Sequence, residues 1–348
     1  MRILYGSNPI GLGHAVRDSI VLSGLRDRGI QADFVSGKTA ARFIKDLGFV
    51  AHAYYEAPLF KVKEGHVQDT FPWMLEYLRF HRKAKEILRE SFDWEAVDLV
   101  IADEDFATAA VAFEERIPVV FVTDILEFHF ARSPLSRLLE GGLNRQMRRF
   151  LRKSELVLFP EKGKDLGNLH YIGPMVRAFS GPREEVRRRC GFRRPTILVT
   201  AGGTDLGLFL LKKAVEVFEH LKLPDTDLVI ALGPSIHDVP WENHRLLGYV
   251  PNLHDYVLAA DLVIAQAGKS STDEALAAGT PLIAIPLEGH SEQEENARGL
   301  GYSFQDLDRL PELISSRLGK RNPPVAPEGN ARFFEILEPL LGRLPGKG

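Results

Sequence analysis

The residues best suited to chemistry run from Ala265 to Glu274 (Ala265-Gln266-Ala267-Gly268-Lys269-Ser270-Ser271-Thr272-Asp273-Glu274) and on through Gly279-Thr280-Pro281 to Gln293 and Asn296. They read as a strand, a glycine turn, a helix, a second strand and a polar loop carrying amide side chains. A glycine turn leaves the helix N-terminus, here Gly268, Lys269, Ser270 and Ser271, open to an anion. Glu274, one turn later, can hold a diol. The combination suits a diphosphate and its ribose. A plainer reading also exists: Ser271-Thr272-Asp273-Glu274 fits a capping box, in which the glutamate only serves the backbone. Gln293 and Asn296 likewise fit an ordinary helix start.

A second glycine turn, Thr200-Ala201-Gly202-Gly203-Thr204-Asp205, follows an apolar strand. Its paired glycines let backbone N–H groups approach a pyrophosphate, and Thr204 can add a hydroxyl. Neither turn has the Gly-x-x-x-x-Gly-Lys-Ser/Thr spacing of a P-loop, which disfavours a P-loop NTPase. A third turn, Gly6-Ser7-Asn8-Pro9-Ile10-Gly11-Leu12-Gly13-His14, places a histidine where strand ends meet the crevice of an open α/β sheet. His14 there can take a proton from a hydroxyl or water, or merely bond the turn. Asp103-Glu104-Asp105 and Asp124 fall at further strand ends. One of these acids can orient His14, and Asp124 is the better placed if its strand lies near the sheet centre; a helix cap is the simpler role. Asp-x-Asp also occurs in metal sites, but nothing completes a ligand set, so no metal is expected.

Stepping outward, 348 residues suit two domains, with 45% hydrophobic and 26% charged residues, as in soluble globular proteins. A single cysteine, Cys190, cannot pair within the chain and points to a reducing, cytoplasmic compartment. Met1–Gly6 enters a strand without a signal-peptide pattern. No apolar run approaches the ~20 residues that span a bilayer. A net charge of −3 gives nucleic-acid binding no support. From Arg132 to Lys153, however, seven basic residues stand against one acid, with leucines, Met147 and Phe150 interleaved. Such a helix can lie on an anionic membrane or pack as an ordinary surface helix.

The elements that position these residues alternate. Strands are expected at Ile3–Gly6, Ala32–Ser36, Leu99–Ala102, Val119–Thr123 and Leu156–Phe159, with helices at Ala15–Arg28, Ala40–Leu47, Trp73–Glu90 and Ala107–Arg116. The rhythm restarts after a basic, Pro/Gly-containing stretch, Gly173–Pro195. Strands then fall at Thr196–Thr200, Asp227–Ala231, Leu246–Gly248, Leu262–Ala265 and Leu282–Ile285, with helices near Leu206–His220, Leu253–Ala259, Ser271–Ala278 and Gln293–Leu300. The fold class is α/β, with two Rossmann-like, doubly wound domains, residues 1–174 and 175–329. A last helix, Ala331–Leu341, within residues 330–348, is expected to return to the first domain.

In this order the residues resemble the MurG-like nucleotide-sugar glycosyltransferases of the GT-B fold. The match is best over Asp261–Leu300, through Gly268, Glu274, Ala278-Gly279-Thr280-Pro281, Pro286, Gln293 and Asn296. The resemblance implies two domains facing a cleft, the first on the acceptor side and the second on the donor side. It gives Glu274 to the ribose diol, Gln293 to the donor sugar, Gly202-Gly203-Thr204 to the diphosphate and the Val250 backbone to the base, usually uracil. Asn296 would support the loop. Gly13 and His14 match the family's glycine-rich loop, and Asp124 lies near its cleft carboxylate, so the resemblance makes Gly13 a donor contact and His14 and Asp124 the catalytic pair.

The chain departs from the family at Asp205, which stands where a polar amide is usual, and in having one glutamine in Ser291-Glu292-Gln293-Glu294. The acceptor-selecting region shows no match. The implied activity is inverting transfer from a UDP-sugar, as co-substrate and without a metal or other cofactor, to an acceptor alcohol or glycolipid. The enzyme would be cytoplasmic or peripheral at the cytoplasmic membrane face, with a hexosyl or N-acetylhexosaminyl group transferred. Gly11-Leu12-Gly13-His14 with Arg17-Asp18 and Gly202-Gly203-Thr204-Asp205 is also similar to the PseG-type nucleotide-sugar hydrolases, which use water as acceptor. A non-catalytic subunit that binds a nucleotide sugar is the third alternative.

Overall fold

The computed structural model describes residues 1–129, 131 and 134–344. The chain opens with β1 (Ile3–Ser7), α1 (Gly13–Asp27), β2 (Ala32–Ser36), α2 (Lys38–Asp46) and β3 (Ala51–Ala53). A short hairpin follows, β4 (Val62–Lys63) and β5 (His66–Val67). Next come α3 (Thr70–Ser91), β6 (Leu99–Asp103), α4 (Phe106–Glu114), β7 (Val119–Val122), α5 (Pro134–Lys153), β8 (Leu156–Phe159) and β9 (Leu169–Tyr171). The later part runs α6 (Arg183–Arg189), β10 (Thr196–Thr200), α7 (Leu208–Leu221), β11 (Asp227–Ala231), β12 (Arg245–Leu247) and α8 (Leu253–Ala259). It ends with β13 (Leu262–Gln266), α9 (Lys269–Ala278), β14 (Leu282–Ile285), α10 (Ser291–Gly299), α11 (Leu310–Arg317) and α12 (Gly329–Leu341).

These elements form two compact units. The first holds Met1–Lys61, Asp69–Met175 and Pro327–Gly348; the second holds Val62–Gln68 and Val176–Ala326. Helix α6 lies inside Gly173–Pro195, a stretch the sequence reads only as a connection.

The first unit is built on a seven-stranded parallel sheet in the order β3-β2-β1-β6-β7-β8-β9. Its inner strands are uninterrupted apolar runs such as Leu99–Ala102, because a parallel sheet is covered by helices on both faces. Chain order reverses between β1 and β6, whose register pairs Ser7 with Asp103. Loops leaving neighbouring strands in opposite directions open a crevice there, the usual ligand position of such sheets. Helix α12 packs on α1, where Gly24 leaves its side-chain space to the Phe334 ring and Arg28 bonds Glu338 at 2.8 Å.

The second unit repeats the plan with five parallel strands, β12-β11-β10-β13-β14. Its own core gathers Ile197–Val199, Val229–Ala231, Val263–Ala265 and Ile283–Ile285 around the sheet. The reversal falls between β10 and β13, in register through Thr200 and Ala265. Both glycine turns of this half therefore leave the sheet side by side.

Candidate active site

In the first unit, the turn after β1 is tight by necessity. A side chain at Gly6 would strike Thr108 and Asp105, and Gly11 sits at φ 73°, which glycine adopts without strain. The turn delivers His14 to the first turn of α1, and the β1–β6 pairing delivers Asp103 opposite it. His14 Nδ1 lies 2.9 Å from Asp103 Oδ1. Arg17, one helical turn on, donates Nε to Asp103 Oδ2 at 2.8 Å and Nη2 to Asp103 Oδ1 at 2.6 Å. Its Nη1 reaches Asp124 Oδ2 at 3.0 Å. The carboxylate hydrogen-bonded to His14 is thus Asp103 and not Asp124. Strand β6 is the fourth of seven strands and pairs with β1, while β7, which leads to Asp124, lies one strand further out.

The acidic triplet divides its work three ways. Asp103 faces His14 and Arg17. Glu104, at φ 48°, turns back so that its Oε1 accepts from the Thr123 hydroxyl at 2.8 Å and from the Asp124 N–H at 3.1 Å. Asp105 caps α4 through the Ala107 and Thr108 amides and accepts from the Tyr55 hydroxyl.

Protons in this cluster follow the charges. Burial works against a charged His14, but the Asp103 carboxylate and its hydrogen bond, with Glu104 beyond, outweigh burial and push the imidazole up to about 10. Burial opposes ionisation of Asp103 as well, yet Arg17 and His14 hold it far below the usual carboxylate range. Asp124 is lowered against burial by the same two cations. Burial raises Glu104, helped by Asp124, and raises Asp18, helped by Asp103. The cluster therefore sets His14 and Arg17 against Asp103 and Asp124, while burial pushes Glu104 and Asp18 toward their protonated forms. Since Asp103 occupies Nδ1, Nε2 is the nitrogen of His14 available for exchange; Glu104 Oε2 is 3.8 Å from it.

In the second unit, Gly202 takes φ 78° and its N–H bonds the Thr200 hydroxyl at 3.2 Å. Gly203 and Thr204 follow, half-buried. Gln266, the last residue of β13, packs its buried amide against Gly202. Helix α9 starts at Lys269, with Gly268 as an N-cap that has no side chain to cap it. Lys269 Nζ bonds Asp273 at 2.8 Å along the helix.

Glu274 does not close a capping box. Ser271 lies inside α9, and the buried Glu274 carboxylate accepts instead from Arg177 Nη2 at 3.0 Å. Burial raises the Glu274 carboxyl and Arg177 opposes that rise. The same guanidinium bonds the Pro251 carbonyl, tying the half-buried Val250–Pro251 turn to Glu274. Arg177 was hidden in sequence because Met175-Val176-Arg177 reads as part of the connection. Gln293 Oε1 accepts from the Leu287 N–H at 3.0 Å, and Asn296 Nδ2 donates to the Ala267 carbonyl at 3.1 Å. Gly202–Thr204, Gly268–Ser271, Glu274, Val250 and Gln293 all lie in the second unit; Gly13, His14 and Asp124 lie in the first.

Residues 196–307, which contain both glycine turns, Glu274 and Gln293, match the glycosyltransferase family 28 C-terminal domain. The chain is a glycosyltransferase of the GT-B fold that resembles the MurG-like enzymes. A glycosyltransferase of Methanopyrus kandleri, itself uncharacterized, is 27% identical to it over 63% of this chain and 67% of the relative. The UDP-N-acetylglucosamine--N-acetylmuramyl-(pentapeptide) pyrophosphoryl-undecaprenol N-acetylglucosamine transferase of Rubrobacter xylanophilus is 31% identical over 45% of this chain and 49% of its own length. Among solved structures, the glycosyltransferase of kitacinnamycin superposes with a TM-score of 0.63 at 18% identity, over 98% of this chain and 95% of that one. MurG of Acinetobacter baumannii gives 0.52 at 15% identity, with 99% of each chain covered. At such identities these structures bear on the fold of the glycosyltransferase alone.

Helix α5 of the glycosyltransferase divides along its length. Met147 and Phe150 enter the core, while Leu135 and Leu138 are 56% and 73% exposed beside Arg137. Arg132, counted with this basic stretch in sequence, lies outside the described residues. Among the described residues no helix is long and apolar enough to cross a membrane.

Proposed function

We propose that the glycosyltransferase moves a hexosyl or N-acetylhexosaminyl group from a UDP-sugar to an acceptor hydroxyl with inversion at the anomeric carbon. The observation that carries this reading is the set of groups gathered at the β10–β13 reversal of the second unit. Two glycine turns and the uncapped start of α9 present N–H groups suited to a diphosphate. Glu274, held by Arg177, presents a carboxylate suited to the ribose diol, and the Val250 backbone suits the edge of uracil. Backbone amides and the α9 dipole can take up the charge that develops on the leaving UDP, so the reaction needs no metal.

In this reading His14 is the proton acceptor. Asp103 orients the ring and stabilises its charged form, as the acid of a nucleophile–His–Asp triad does. Nε2 takes the hydroxyl proton while the acceptor oxygen bonds the anomeric carbon and the bond to the diphosphate breaks. His14 must shed its resting proton first, which makes the reaction faster at alkaline pH. We further propose that the exposed Leu135 and Leu138, with the basic residues of α5, rest the enzyme on the anionic cytoplasmic membrane face, where a lipid-linked acceptor would lie.

The test is incubation of the enzyme with a panel of UDP-sugars, with and without polyprenyl-linked and soluble alcohol acceptors. The proposal requires UDP release that depends on an acceptor. Equal release with water alone would make the protein a hydrolase, and no release with any donor would leave only a binding subunit.

A further inference from the structure

The hairpin Val62–Gln68 comes from the amino-terminal third of the chain but belongs to the second unit. It docks on the loop between β14 and α10. Val67 N–H donates to the Glu288 carbonyl at 2.9 Å, and Glu288 N–H donates to the Gly65 carbonyl at 2.9 Å, forming a parallel bridge. His66 Nδ1 lies 2.6 Å from Glu288 Oε2, and its ring sits 4.7 Å from that of Phe304. Gly65 is at φ 82°, and a side chain there would meet Phe304 at 2.7 Å and Phe209 at 2.9 Å. The ion pair is half-exposed and contributes little. The two backbone bonds and the close approach at Gly65 carry the docking.

The gripped loop is the one that orients Gln293. Leu287 N–H, next to Glu288, donates to Gln293 Oε1, and Gly289 N–H donates to Glu294 Oε1 at 2.7 Å. With its oxygen so engaged, Gln293 has its Nε2 as the amide's donor group. Fixing the Leu287–Gly289 backbone therefore fixes that amide. Residues 62–68 lie far outside the 196–307 segment that matches the family domain, so that domain sequence does not contain the grip.

We propose that the Val62–Gln68 hairpin is a positioning element for the sugar moiety of the donor. It holds Glu288, and through Leu287 the Gln293 side chain, in the geometry that distinguishes a nucleotide sugar from the bare nucleotide. This rests on the donor reading given above. Gly65 and His66 are positioning residues and touch no substrate.

The experiment uses the full chain and two variants: Gly65→Ala, which displaces the hairpin, and His66→Ala, which removes only its side-chain contacts. Hydrogen exchange is read at the Leu287, Glu288 and Gly289 amides without ligand. Affinities for UDP and UDP-N-acetylglucosamine are read by calorimetry, with UDP-glucose as a second sugar. Gly65→Ala is expected to speed exchange at these amides about 10-fold and to cut the preference for the better-bound UDP-sugar over UDP about 10-fold, the equivalent of one hydrogen bond. UDP affinity itself stays unchanged, and His66→Ala gives the same pattern more weakly. Unchanged exchange in both variants overturns the proposal, as does faster exchange with an unaltered preference. A parallel loss of UDP affinity also overturns it. Should the unmodified protein bind neither UDP nor a UDP-sugar, the donor reading itself fails and takes this role of the hairpin with it.

Discussion

His14 Nδ1 and Asp103 Oδ1 lie 2.9 Å apart, 89 positions apart in sequence, because β1 and β6 are adjacent strands at the reversal of the first sheet. The pair places a buried carboxylate behind the imidazole and leaves Nε2 for chemistry. For transfer, His14→Ala is expected to lower kcat by at least ~100-fold, the usual contribution of a general base. UDP affinity should not change, since His14 is not among the groups assigned to UDP. Steady-state kinetics alongside calorimetry checks both halves of this statement.

The pH dependence follows from the same pair. With His14 raised to about 10, its neutral form grows as pH rises, so kcat/KM should climb from pH 7 and level off near 10. A flat profile over that range would remove His14 from the role of base. Stability runs the other way. The folded pKa lies above the unfolded value of about 6.5, so the stabilisation from the charged imidazole is complete below about pH 6.5 and is lost as pH rises through about 10. Urea midpoints of the wild type and His14→Gln should therefore converge between those limits.

Arg177 and Glu274 form a largely buried pair across 97 positions. Arg177→Ala leaves a buried carboxylate without its partner and is expected to destabilise the fold by about 3 kcal/mol. It should also loosen the Val250–Pro251 turn, so UDP affinity falls with stability. Chemical denaturation and UDP titration of the variant together check this.

Much of the framework was legible because buried parallel strands are near-continuous apolar runs. Ala32–Ser36, Leu156–Phe159, Thr196–Thr200, Asp227–Ala231 and Leu282–Ile285 have the bounds that their residues suggest. What escaped was short or polar. The three-residue β3 and β9 and the two-residue strands of the hairpin give no periodicity, and α6 buries only Val186. Partners across the sheet escaped too. Asp124 looks the better partner for His14 only if its strand is taken as central, and strand order, which no local pattern reveals, makes β6 central instead. Arg177 depended on a return of the chain to α9 that composition does not announce.

Membrane contact through α5 predicts that the enzyme floats with vesicles rich in anionic lipid and that added salt weakens this. Leu135→Glu with Leu138→Glu should abolish flotation with little effect on folding, because both side chains are exposed. Flotation sedimentation of the double variant is the check.

Transfer should proceed at an unchanged rate in excess chelator, since the diphosphate is assigned to N–H groups of the Gly203–Thr204 turn and the start of α9. Loss of activity on chelation, restored by a divalent ion, would place a metal on the diphosphate.

The most direct measurement of the donor assignment is a UDP titration of the wild type and of Glu274→Gln. Glu274 as the ribose ligand predicts that the wild type binds UDP and that the variant binds it about 30-fold more weakly, as expected for losing charged hydrogen bonds. An unchanged Kd, or a wild type that ignores UDP while binding another nucleotide, would contradict it.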